Sequence, residues 1–243
     1  MLADTLKAIA GQRLVGTDGD VTYLELLPPA TEAQVRELEA KLPGPLPDEM
    51  RAALAVTTGL ANGPLESFSL LDLEGFGLEE AFPHAYSIGH DGFGNYWILD
   101  VLPGAVDWGP VFFACHDPAV VAYQSPSIEA FVKDVAAMAP DDPRSPINHV
   151  HEKVVHELWR DHSALIQQAA AATSSDPALR EFAGSLAPDA VIADLREPRT
   201  GSGFAWGMHG PRTEIRRFGT ERLWALTRPP HRPGFFSRLF GGQ

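Results

Sequence analysis

The chain has 243 residues, 44% of them hydrophobic, and a net charge of −13, which provides a real core and room for one large or two small domains. No run of about 18 apolar residues occurs, so no membrane span is expected, and the opening MLADTLKAIAGQRL lacks the basic start and apolar stretch of a secretion signal. The single cysteine, Cys115, excludes an internal disulfide and suits a reducing cytoplasm.

Asp4 to Ala10 reads as a short helix with Leu2, Leu6 and Ile9 on one side. Leu14-Val15 and Val21 to Leu27 read as a hairpin around Asp18-Gly19. Thr31 is placed to cap a helix, with Gln34 closing a capping box and Val35, Leu38 and Leu42 at helical spacing. Pro43-Gly44-Pro45 ends it. Pro47-Asp48-Glu49 opens another helix, with Met50, Ala53 and Leu54 turned inward, running to about Gly59. The period then changes to two. Strands are expected at Ser67–Leu73, Tyr86–Ile88, Trp97–Val101, Val111–His116 and Val120–Gln124. Gly89, Gly92 and Gly94 do not have the spacing of a dinucleotide loop, and no helix start follows them. Asp91 to Asn95 therefore reads as a turn whose glycines supply positive φ angles. Ser125-Pro126-Ser127 caps a helix with Ile128, Phe131, Val132 and Val135 on one face.

This order of helices, antiparallel strands and closing helix reads as α+β. Pro140 to Pro146 (PDDPRSP) breaks the composition and divides the chain into residues 1–140 and a C-terminal extension, 141–243. A long helix is expected over residues 147–173, with Ile147, Val150, Val154, Leu158 and Leu165 along one stripe. Asp176-Pro177 starts a short helix, strands are expected at Ile215 and Leu223–Leu226, and an aromatic, basic tail ends the chain. That tail is suited to docking on its own acidic domain or on a membrane surface.

Charge is unevenly placed. Residues 1–195 carry 10 basic and 29 acidic side chains, net −19; residues 196–243 carry 9 and 3, net +6. Between Arg51 and Lys133 there is no lysine or arginine, yet there are ten acids: Glu66, Asp72, Glu74, Glu79, Glu80, Asp91, Asp100, Asp107, Asp117 and Glu129. Such a stretch repels nucleic acid and speeds encounter with a basic protein; the plainer reading is a merely soluble surface. Asp72, Glu74, Glu79, Glu80, Asp91, Asp107 and Asp117, in loops or at strand ends, are the expected partner-binding residues. Trp108 joins them as an aromatic anchor in its loop, whereas Trp97 is expected in the core.

Catalytic patterns are weak. Cys115 and His116 are neighbours on a strand and point to opposite faces. His149, Glu152 and His156 fall near one face of the expected helix, where they have zinc-ligand types, but a polar helix face is the simpler account. No catalytic residue, metal or cofactor is expected.

Three stretches resemble the SUKH superfamily, named for a yeast cell-wall assembly regulator and its bacterial relatives. ATEAQVRELEAKLPGPLPDEMRAAL is similar to its opening pair of helices, IGHDGFGNYWILD to its central hairpin, and GPVFFACHDPAVVAYQSPSIEAFV to its closing strands and helix. The resemblance covers about residues 29–137 and is silent on the rest. It implies a non-enzymatic binder, often an immunity protein that blocks a toxin, frequently a nuclease, whose phosphate-gripping basic surface an acidic inhibitor occupies. The alternative it leaves open is a regulatory scaffold whose extension contacts a second partner or a membrane surface.

Overall fold

A computed structural model describes residues 1–15, 19–71, 75–104, 108–138 and 144–228. The fold is α+β. Helix α1 (Leu2–Ile9) is followed by a small hairpin, β1 (Arg13–Val15) with β2 (Val21–Tyr23); Gly16 to Asp18, which include part of its expected turn, lie outside the described residues. Next come β3 (Glu25–Leu26), α2 (Glu32–Lys41), α3 (Asp48–Leu54), β4 (Gly59–Ala61) and β5 (Ser67–Ser69). The main hairpins are β6 (Ala85–His90) with β7 (Tyr96–Asp100), and β8 (Val111–His116) with β9 (Ala119–Ser125); α4 (Ile128–Ala136) follows. The expected caps are present: the Thr31 hydroxyl accepts from the Gln34 N–H while Gln34 answers the Thr31 N–H, and Ser127 caps α4.

Strands β3 to β9, joined by β12 (Gly203–Phe204), form one antiparallel sheet in the order β12-β9-β8-β7-β6-β5-β4-β3. Its side chains alternate between two covered faces. Trp97, Leu99, Phe113, Cys115 and Val120 join the helices in one core. Ile98, Phe112, Ala114 and Val121 enter a second core on the opposite face. Burial on both faces is why VFFAC is an unbroken apolar run rather than an alternating one.

The second core is closed by the extension. Strands β10 (Ile166–Gln167), β11 (Val191–Asp194), β14 (Leu223–Thr227) and β13 (Glu214–Arg217) form a four-stranded sheet in that order. Val191, Ala193, Trp224 and Leu226 face the larger sheet. Ile192, Leu223 and Ala225 face away, onto α7 (Gln168–Ala171) and α8 (Pro177–Gly184). The molecule is thus four layers deep: helices, eight strands, four strands, helices.

The helix expected over residues 147–173 is a correction. It runs as α5 (Pro146–His149), a π-helical turn (Val150–Val154) and α6 (Val155–Arg160). It stops at Asp161, and Leu165 leads into β10 instead. Leu165 lies seven residues beyond Leu158, so helical spacing ran across the break; both are buried, but in different cores. The wider π turn has a packing cause: it lets the consecutive Val154 and Val155 both point inward beside Val150.

One ion cluster joins the layers. Asp100, at the end of β7, is fully buried. Its carboxylate accepts from Arg217 Nη1 at 2.7 Å and Nη2 at 3.0 Å, and from Arg222 Nε at 2.8 Å. Arg222 also donates to the Gly109 carbonyl, and the Arg217 guanidinium lies 4.9 Å from the Trp224 ring. Gly203 on β12 permits the other close junction, since a Cβ there would sit 2.2 Å from the Val121 carbonyl oxygen.

Candidate protein-binding surface

The run of acids that is continuous in sequence is dispersed in space. Asp100 is neutralised in the interior, and Glu129 is held by Lys133, Thr5 and the amino terminus. Asp72, Glu74 and Asp107 lie outside the described residues. Glu79 and Glu80 are exposed on the turn before β6. Glu79 Oε1 accepts the N–H groups of Phe76 at 2.6 Å and Gly77 at 3.0 Å. Its carboxyl lies below the usual range: partial burial pushes it upward, but backbone hydrogen bonds, including these two, outweigh that.

Trp108 is a correction. It is 7% exposed, packed in the helix-side core with its ring edge-on to Tyr86 at 6.2 Å. A large apolar ring next to Gly109 and Pro110 folds back under the sheet end rather than standing in solvent, because its burial removes so much surface from water. Trp97 is buried, as expected.

Asp91 and Asp117 come together at the tips of the two main hairpins. Asp91 organises its own turn: Oδ1 accepts the N–H of Phe93 at 2.8 Å and of Asn95 at 3.3 Å, and Oδ2 accepts the Asn95 side-chain amide at 2.6 Å. Gly92 and Gly94 adopt φ of +81° and +85°, the left-handed values that the turn demands. Asn95 Oδ1 in turn accepts the His116 N–H at 2.9 Å, which ties this tip to the one carrying Asp117. From the extension, His151 Nε2 lies 3.1 Å from Asp91 Oδ2 and its Nδ1 lies 2.9 Å from Glu152 Oε1. Glu66 reaches the same spot, its Cγ 3.3 Å from where a Gly92 Cβ would stand.

At the centre stands Phe93, 78% exposed. Sequence reasoning missed it, although Gly-Phe-Gly in a turn is a readable signal: an aromatic ring at a hairpin tip has no sheet face to enter. The result is an aromatic side chain on a turn fixed by Asp91, with Glu66 beside Gly92, His151 and Glu152 linked to the turn through Asp91, and the tip that carries Asp117 tied to it through Asn95. Among the described residues no three His, Cys, Asp or Glu side chains converge as a metal site, His149, Glu152 and His156 included. Cys115 beneath the tips is buried, and that burial pushes its thiol up to about 11.

Residues 29–134 match the model of the SMI1 / KNR4 family (SUKH-1). This segment is similar to a SUKH domain. It contains α2 to β9 and most of α4, so both hairpin tips belong to it, while His151 and Glu152 reach it from outside. No curated protein and no solved structure matches the chain. Among the described residues no helix is long and apolar enough to cross a membrane.

The turn is expected to respond to acid. Burial works to raise the Asp91 carboxyl, but the Asn95 amide, the Phe93 N–H, His151 and the Asn95 N–H together hold it below its usual range. A lowered native value means the turn is fully stabilised above the ordinary Asp value of about 3.9 and loses that contribution as pH falls through the native one. An acid titration followed by NMR should show the Phe93 and Asn95 amides moving together, below that ordinary value. Asp91→Ala should produce the loosened turn at neutral pH.

Proposed function

We propose that this protein is a non-enzymatic binding module that neutralises a basic toxin domain of the nuclease type inside the cell that makes it. Three things support the reading. SUKH domains point to protein–protein interaction in general. Of the acids in the stretch without lysine or arginine, Glu66, Asp91 and Asp117 stand on or beside the two hairpin tips, where negative charge favours encounter with a cationic partner. The observation that carries the reading is Phe93: a large ring, exposed and held on a turn fixed by Asp91, among carboxylates. Aromatic anchors on pre-organised turns dominate interfaces because little side-chain freedom is lost on binding. Acids around the ring can match the basic side chains with which a nuclease grips phosphate, and the buried thiol suits a reducing compartment.

The first test is the adjacent genes, where a large secreted polypeptide with a toxin-type C-terminal domain is expected; its absence would count against the reading, and its C-terminal domain is the titrant. That domain is titrated with the full chain, and growth protection is scored in parallel. Phe93→Ala is expected to weaken binding more than tenfold, about 1.4 kcal/mol, with the unfolding midpoint unchanged because the ring touches no core. Glu66→Lys with Asp117→Lys should slow association at low salt and matter less at high salt. Full binding and protection by Phe93→Ala would overturn the reading.

A further inference from the structure

The second sheet ends on an open edge. β13 is its last strand, and among the described residues no strand pairs with its outer side. A cleft of about 780 Å³ runs along that edge, within the range of about 300–1,000 Å³ typical of ligand sites. The turn Gly77–Ala81 forms one wall, and Ser185–Ala187, just past α8, forms the other. Leu78, Trp206 and Ile215 give it an apolar lining, and Glu79, Glu80 and Glu214 stand in it as carboxylates. Among the described residues Arg216 is the one basic residue of the lining; its Nη1 donates to the Ser185 carbonyl at 3.2 Å, and its guanidinium lies 5.8 Å from the Phe182 ring. The described lining thus carries three carboxylates against one guanidinium, a negative balance.

A charged edge alone serves to keep sheets apart. A charged edge sunk in a groove does something else. It offers a row of backbone donors and acceptors to an extended chain, apolar contacts for alternate side chains, and acids for the others. We propose that this cleft takes an extended basic segment of a partner protein, added as a fifth strand against β13. The proposal rests on the reading of the protein as a binder of basic proteins and gives it a second point of attachment, separate from the Phe93 tip. A narrow single strand fits better than a second copy of the chain, because each copy would bring its own pair of walls to the contact.

The probe is an end-capped eight-residue peptide alternating arginine and valine, titrated into the full chain by calorimetry, with hydrogen exchange read at residues 214–217. Binding is expected, with slowed exchange of the β13 amides. Affinity should fall at least tenfold when every second peptide nitrogen is methylated, and again when glutamate replaces arginine. Glu79 ties its own turn, so Glu80→Lys and Glu214→Lys are the test variants, and each should weaken binding severalfold without shifting the unfolding midpoint. Equal binding of the methylated peptide, or unchanged exchange at β13, would overturn strand addition. A chain ended after Arg228 that binds the peptide at least tenfold tighter would assign the cleft to the chain's own tail and overturn the partner assignment. Peptide displaced by self-association of the protein would do the same in favour of a second copy. Phe93 takes no part in this assay, so a failed toxin titration with intact peptide binding strikes the proposed function, and the reverse strikes only the cleft.

Discussion

Ended at residue 140, the chain is expected to precipitate or stay unfolded instead of yielding a free-standing SUKH-like domain. The reason is the covered second face. Removing the extension strips the four-stranded sheet from Ile98, Phe112, Ala114 and Val121. It also takes Ile147, Val150, Val154, Val155 and Leu158 out of the helix-side core. At about 1.5–3 kcal/mol for each large apolar side chain returned to water, a handful of these exceeds the roughly 5–15 kcal/mol that hold a typical domain folded. Solubility, near-ultraviolet circular dichroism and urea melts of chains ending at 140 and at 228 would check it. The longer chain should unfold in one cooperative step, and a cooperative, monomeric 1–140 fragment would refute the expectation.

The second large effect is at Asp100. Asp100→Asn keeps the shape but leaves Arg217, 3% exposed, and the half-buried Arg222 without their counter-charge. Breaking one partner of a buried ion pair costs about 3–5 kcal/mol, chiefly from the stranded charge. For a chain of this size that is roughly 6–20 °C in melting temperature. Replacing the set together (Asp100→Leu, Arg217→Met, Arg222→Met) should recover much of the loss, because no charge is then stranded. A triple variant no better than Asp100→Asn would show that the arginines matter for packing on Trp224 and not for charge.

These two residues of like type, Asp91 and Asp100, mark how far the sequence could be read. Both belong to the same stretch without basic residues. One shapes a surface turn and the other is sealed in the core, and the difference lies with Arg217 and Arg222, more than a hundred positions away. Local signals were legible because their causes are local. Thr31 with Gln34, Ser127 and Asp176 are caps, each bonding amides two or three residues on, and Asp-Gly and Asp-Pro mark the tips of the main hairpins. The second sheet was harder. β12 has two residues and β10 two, too short to show a period, and Val191–Asp194 is a strand only because Leu223–Leu226 lies beside it. Its presence was nevertheless implied by the unbroken VFFAC run, which makes sense only if both faces of the sheet are covered. Trp108 was misplaced because its burial depends on what the loop packs against.

The separation of Phe93 from the interior has an evolutionary consequence. Residues that contact no core can be exchanged with little effect on folding, and here the turn is fixed by Asp91, Gly92, Gly94 and Asn95, not by the ring they display. Substitutions of the displayed residue can therefore accumulate one at a time, each variant still reaching the folded state.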